Sequence, residues 1–139
     1  MTKVILISWH ILQLIGWVKL EGASYEWTWV DELDAEVQIP TFGQELKALE
    51  GSQLELSGYF LPLEIDGKTI IISKKPYASC FFCGGDAGPE SVVEVQFKEP
   101  HPTFQPDQIL QVQGTLSLNK DDYEHLIYIL TDAILIDEL

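Results

Sequence analysis

The sequence predicts an all-β domain: a small barrel of five strands with one short helix, preceded by an apolar N-terminal signal segment. Three observations predict it. From Gln53 onward, apolar and polar residues alternate at period two, the spacing of a strand with one buried face. The connections between these runs are short and carry turn residues, Asp66–Gly67 above all. Gly58 and Gly114 stand inside otherwise good strands, where an interior glycine marks the bulge or sharp bend that a barrel corner requires. Antiparallel strands that close on themselves leave no exposed edge, which makes a five-stranded OB-like barrel the first expectation. A small β-sandwich is the alternative.

The elements follow in order. Val4 to Val18 is a run of mostly apolar residues behind Lys3. It is too short for a membrane span, which needs about 20 residues, and it matches the h-region of a secretory leader. Gly22, Ala23 and Ser24 supply small residues, placing the expected cleavage near Ser24–Tyr25 and the leader at residues 1–24. His10, Gln13, Lys19 and Glu21 interrupt the leader pattern, so a buried amphipathic helix of the domain is the competing reading. Residues 25–40 form an N-terminal arm: the aromatic and acidic run Tyr25 to Val30, then an acidic surface patch from Asp31 to Glu36. The barrel domain is expected at 41–139. Thr41 can cap a short helix that turns Leu46 and Leu49 inward and stops at Gly51.

The first barrel strand starts at Gln53, with Leu54, Leu56, Gly58 and Phe60 on one face, and ends at Pro62 or runs along an edge there. Thr69 to Ser73 returns, and Ser91 to Phe97 is the third strand. Pro100, Pro102 and Pro106 make the next connection rigid and irregular. Leu110 to Leu118 alternates cleanly, Asn119 to Asp122 turns, and Leu126 to Ile136 closes the set.

Composition removes whole classes of function. The 139 residues carry 22 acidic side chains against 8 Lys and no Arg, a net charge of -14. Nucleic-acid binders cluster Lys and Arg to displace counterions, so a nucleic-acid partner is excluded, and an anionic membrane surface is disfavoured for the same reason. No membrane span is expected in the mature chain. Two cysteines are too few for a disulfide-stapled miniprotein.

Chemistry concentrates in the loop from Pro76 to Glu94. Cys80 and Cys83 form a Cys-x-x-Cys pair followed by Gly84 and Gly85. Two such thiolates can chelate one zinc ion, with copper as the alternative, and Glu90, Glu94 and His101 are the nearest groups able to complete a tetrahedral set. The pair could also exchange disulfides, although the glycines, Asp86 and Pro89 that follow do not form the helix N-terminus such sites use. A local Cys80–Cys83 disulfide that pins the loop is the third possibility, natural in an oxidising compartment.

Other groupings are weaker. Asp121, Asp122, Glu124 and His125 could bind a hard cation, but read more simply as a solvated turn. Glu64 and Asp66 read as polar turn residues. Trp27 and Trp29 could stack a sugar, but an aromatic arm that plugs the barrel end is the preferred reading. No Ser-His-Asp arrangement, phosphate loop or dinucleotide fingerprint is present, which points away from catalysis and toward binding.

The runs GSQLELSGYFLPLE (51–64), KKPYASCFFCGG (74–85), GPESVVEVQF (88–97) and QVQGTLSL (111–118) together resemble the domain-of-unknown-function family 3299, in the form common in Bacteroidetes-type bacteria. The resemblance covers about Thr41 to Leu139. It implies an exported, periplasmic or extracellular OB-like barrel with no established catalytic activity. Many relatives carry Cys-x-His at this loop, which aligns Cys80 with the shared cysteine and puts Phe82 where those relatives have His. The resemblance also implies a role in handling or transporting metals at the envelope, with a transporter or other protein as partner. An interaction module with a disulfide-pinned loop is the alternative expectation, and a thiol oxidoreductase is a third.

Overall fold

The computed structural model describes residues 16–77 and 88–138. Its strands are β1 (Ala23–Val30), β2 (Ala35–Phe42), β3 (Gln53–Asp66), β4 (Thr69–Ser73), β5 (Val92–Phe97), β6 (Ile109–Leu118) and β7 (Tyr128–Glu138), with one six-residue helix, α1 (Gln44–Leu49). Strands β3 to β7 form the expected closed barrel, in the order β3-β4-β5-β7-β6 with β6 back on β3. All of its pairs are antiparallel except β5 with β7. A five-stranded Greek-key barrel with one parallel pair is the OB-like architecture.

The alternation read from the sequence decides which side chains fill the interior. Leu110, Val112 and Leu116 of β6 point inward, while Gln111, Gln113 and Thr115 face out. Val93, Val95 and Phe97 do the same on β5. The two interior glycines stand where strands crowd. A Cβ on Gly114 would lie 3.0 Å from Leu130 Cβ, beside a register shift in the β6–β7 ladder. A Cβ on Gly58 would meet the Ser73 carbonyl oxygen at 2.9 Å and the Trp17 ring at 3.1 Å. Gly58→Ala is expected to cost about 1–3 kcal/mol through overpacking, checked by urea unfolding.

Several boundaries differ from the sequence expectation. The strand does not stop at Pro62; β3 runs on to Asp66 because the ladder with β4 is irregular between Leu61 and Asp66, so the missing Pro N–H costs no regular ladder bond. Thr41 does not cap the helix. It belongs to β2, and Gly43 takes the N-cap without a side-chain bond. Leu126 and Ile127 belong to the loop before β7, which begins at Tyr128. The arm expected at 25–40 is a hairpin, β1 against β2, paired from Ala23 with Phe42 to Val30 with Ala35.

The segment just before that hairpin is part of the core. Trp17 is 1% exposed and Leu20 fully buried. The Trp17 indole N–H donates to the Ser57 carbonyl at 2.8 Å, and the Tyr128 hydroxyl donates to the Leu20 carbonyl at 2.5 Å. The expected leader therefore overlaps residues that belong to the buried core of the barrel. Most of its apolar run, residues 4–15, lies outside the described residues. Among the described residues, no helix is long and apolar enough to cross a membrane.

Candidate functional site

The β1–β2 hairpin and the β6–β7 loop face one another across an open cleft of about 380 Å³. Trp27, Val37 and Pro40 line the hairpin side, Tyr123, Leu126 and Ile127 the loop side, and Pro89 and Val92 lie between. The loop is braced by one of its own side chains. The Asn119 side-chain amide donates to the carbonyls of Asp122 at 2.7 Å and Leu126 at 3.0 Å, and its oxygen accepts from the Asp122 N–H at 2.9 Å. One amide thus satisfies several backbone groups that a turn leaves unpaired.

A buried carboxylate clasps the end of this loop. Pairing places Leu61, Ile71 and Glu94 in one row across the outer face of β3, β4 and β5, with Ile129 of β7 beside Glu94. Apolar neighbours leave Glu94 only 4% exposed. Burying a carboxylate is costly unless donors surround it, and here they do. Its Oε2 lies 2.8 Å from His125 Nδ1 and accepts from the Gln96 amide at 2.7 Å, while its Oε1 accepts from the Leu126 N–H at 3.3 Å. His125 donates through Nδ1, which turns Nε2 outward, 3.9 Å from an Asp122 oxygen.

The hydrogen bond to Glu94 and its charge hold the His125 pKa above the ordinary 6.5. The sign follows directly. A raised folded-state pKa stabilises the imidazolium, so this clasp contributes fully below pH 6.5 and loses strength as pH rises through the folded value. An NMR titration of the His125 ring is expected to show a midpoint above 6.5, falling toward 6.5 in Glu94→Gln. An unchanged midpoint in the variant would refute the clasp.

A carboxylate-oriented imidazole is also half of a general-base dyad. Among the described residues, however, no Ser, Thr or Cys hydrogen-bonds the His125 ring, so the nucleophile–base contact of acyl transfer is not formed there. The arrangement can orient, clasp and bind.

The four metal-site residues expected from the sequence fall in different places. Cys80 and Cys83 lie outside the described residues. Glu90 sits in the short 3-10 turn Pro89–Ser91 at the foot of β5, where its carboxylate accepts from the Tyr25 hydroxyl at 3.1 Å. Burial and the Glu90 charge push the Tyr25 hydroxyl pKa far up. His101 lies beyond the other end of β5, roughly 20 Å away along six strand residues. Its ring stacks on Phe104 and its nitrogens lie 2.7 Å from the Pro102 carbonyl and 3.3 Å from the Asp66 carbonyl. Glu90 and His101 therefore do not meet at one ion. Among the described residues, no three His, Cys, Asp or Glu side chains converge as a metal site.

The Glu94–His125 pair is what sequence reading missed. His125 does stand in an exposed turn, as expected, but its ring is also tied to Glu94 of β5. The parallel β5–β7 pairing, which sets Glu94 beside Ile129, brings these distant residues together. The available signal was Glu94 itself, a lone charge in the apolar run Val92 to Val95.

No protein-family model matches the chain, and no curated protein matches it. Among solved structures, the chain is similar to the crystal structure of a DUF3299 family protein from Pseudomonas aeruginosa, at 20% identity and a TM-score of 0.49, over 70% of this chain and 68% of that one.

Proposed function

We propose that this chain is a non-catalytic binding module that holds a segment of a protein partner in the cleft between the β1–β2 hairpin and the β6–β7 loop. The observation that carries the reading is the buried Glu94, which fixes one wall of a mostly apolar cleft through His125 and Leu126. Ligand sites are typically concave and apolar with a few fixed polar groups. OB-like barrels use the face of their second and third strands, with the loop before the last strand, to bind; β4, β5 and the β6–β7 loop hold those places here. That last support is analogy of fold.

A photo-crosslinking residue placed at Val37 or Ile127 is expected to capture one discrete partner in cells, and the same residue at Glu55 on the far strand β3 is not. Equal capture from all three positions, or none from the cleft, would sink the proposal.

The Cys-x-x-Cys loop supports a second reading, a zinc or copper ion held by Cys80 and Cys83. Glu90 is favoured over His101 as a further ligand, because it stands at the end of that loop and, among the described residues, its carboxylate accepts from the Tyr25 hydroxyl alone. Purified reduced protein is then expected to carry about one equivalent of metal by elemental analysis and to lose it when both Cys become Ser. Metal content unaffected by that change would rule the site out. An exported location, with a partner in the envelope, completes the proposal; the support is Lys3 and the apolar run after it.

A further inference from the structure

We infer that the segment held in the cleft is polypeptide with Lys or Arg side chains spaced among apolar ones; this rests on the binding reading above and names the chemistry of its partner. β1 carries Tyr25, Trp27 and Trp29 at alternate positions on one face, opposite Pro40, Gln38 and Glu36 of β2. Tyr25 is spent on Glu90. Trp27 and Trp29 remain 66% and 55% exposed, and Tyr123 across the cleft 42%. Large rings left in water beside a cleft mark a surface that another molecule covers.

The charge around these rings is mostly negative. Asp31, Glu32 and Asp121 line a recess of about 510 Å³ at the hairpin tip beside Lys120, while in the cleft itself Asp122 stands with Lys120 and His125, so the acidic excess lies at the hairpin tip. The hairpin itself, residues 23–42, holds five carboxylates and no Lys. The Trp29 indole N–H donates to Asp31 at 2.9 Å, which holds the ring beside a carboxylate and leaves its face open. Aromatic faces bordered by carboxylates attract cations, first through the ring quadrupole and then through charge. A Lys or Arg stem can cover the indole while its head reaches the acid. An anionic segment would be repelled, and a neutral one would desolvate these carboxylates without pairing them.

The spacing favours an extended chain over a free amine. Trp27 and Trp29 are two strand residues apart, roughly 7 Å, the same step that separates alternate side chains of an extended peptide. The apolar residues between the cations then have the main cleft to enter.

Fluorescence anisotropy with a labelled peptide alternating Lys and Leu tests this. Its Gln-for-Lys and Glu-for-Lys counterparts, and spermine as competitor, serve as controls. The Lys peptide is expected to bind, to weaken at least about tenfold in the Trp27→Ala/Trp29→Ala double variant, and to change little in Glu55→Gln. The double variant keeps the net charge and removes only exposed rings, so its circular dichroism should match the parent. Equal affinity for the Gln peptide would overturn the cationic assignment. Spermine binding as tightly as the peptide would overturn the polypeptide assignment. Binding that ignores the Trp changes but falls in Glu55→Gln would be bulk charge and would also overturn it. If the Lys peptide fails while cleft crosslinks persist, only this inference falls; if both fail, the binding reading falls with it.

Discussion

Trp17→Ala is expected to destabilise the barrel by roughly 3–5 kcal/mol, the range for removing a large buried aromatic from a core. The ring is 1% exposed and packs against Gly58 at the end of the barrel. The substitution also orphans the Ser57 carbonyl that its indole N–H satisfies. Trp17→Phe keeps most of the packing and loses only that bond, so it should cost about 1–3 kcal/mol. Urea denaturation of both variants separates the two effects. A change below about 0.5 kcal/mol for Trp17→Ala would mean that the segment does not fill the core. The result bears on export. Cleavage near Ser24 would discard Trp17 and Leu20 together, so we propose that an exported form keeps residues 16–24. Intact mass of the secreted product decides between an N-terminus at Tyr25 and one upstream of Gly16.

Glu94→Ala is expected to cost about 1–2 kcal/mol and to abolish crosslinking from the cleft. Removing the carboxylate leaves the Leu126 N–H without its acceptor and the part-exposed His125 ring without its anchor; solvent reaches both donors, so each loss falls at or below the low end of the roughly 1–3 kcal/mol that an orphaned buried donor costs. The Gln96 amide loses its partner as well. Glu94→Gln preserves the volume and an acceptor oxygen, so it should keep most of the stability and lose the pH dependence. If Glu94 were merely a solvated strand carboxylate, Glu94→Ala would fall within about 0.5 kcal/mol of the parent and leave the partner in place.

The barrel was legible in the sequence because each of its strands buries one face, and a buried face writes period two into the chain. Leu54, Leu56, Leu110, Val112 and Leu116 are inside as that period requires. The glycines were legible for a related reason, since only close strand approach explains Gly58 and Gly114. What was not legible depends on contacts between distant residues. An apolar run from Val4 to Val18 satisfies a leader and a core plug equally, and only the burial of Trp17 and Leu20 against Ser57 and Tyr128 shows its end serving the core. Thr41 has the chemistry of a cap, but pairing with Ser24 holds it in β2. Glu94 and His125 are joined by the parallel β5–β7 register, which no local pattern encodes. The cleft joins a hairpin near one end of the chain to a loop near the other, so its existence follows from the fold alone.

The most direct test is an amide chemical-shift map of the isotope-labelled chain, recorded with and without the partner recovered by crosslinking. The expected shifts are confined to residues 25–40 of the hairpin and 119–127 of the β6–β7 loop, with the His125 amide among the largest. Shifts centred instead on the outer face of β3 and β6, around Glu55 and Gln111, would contradict it.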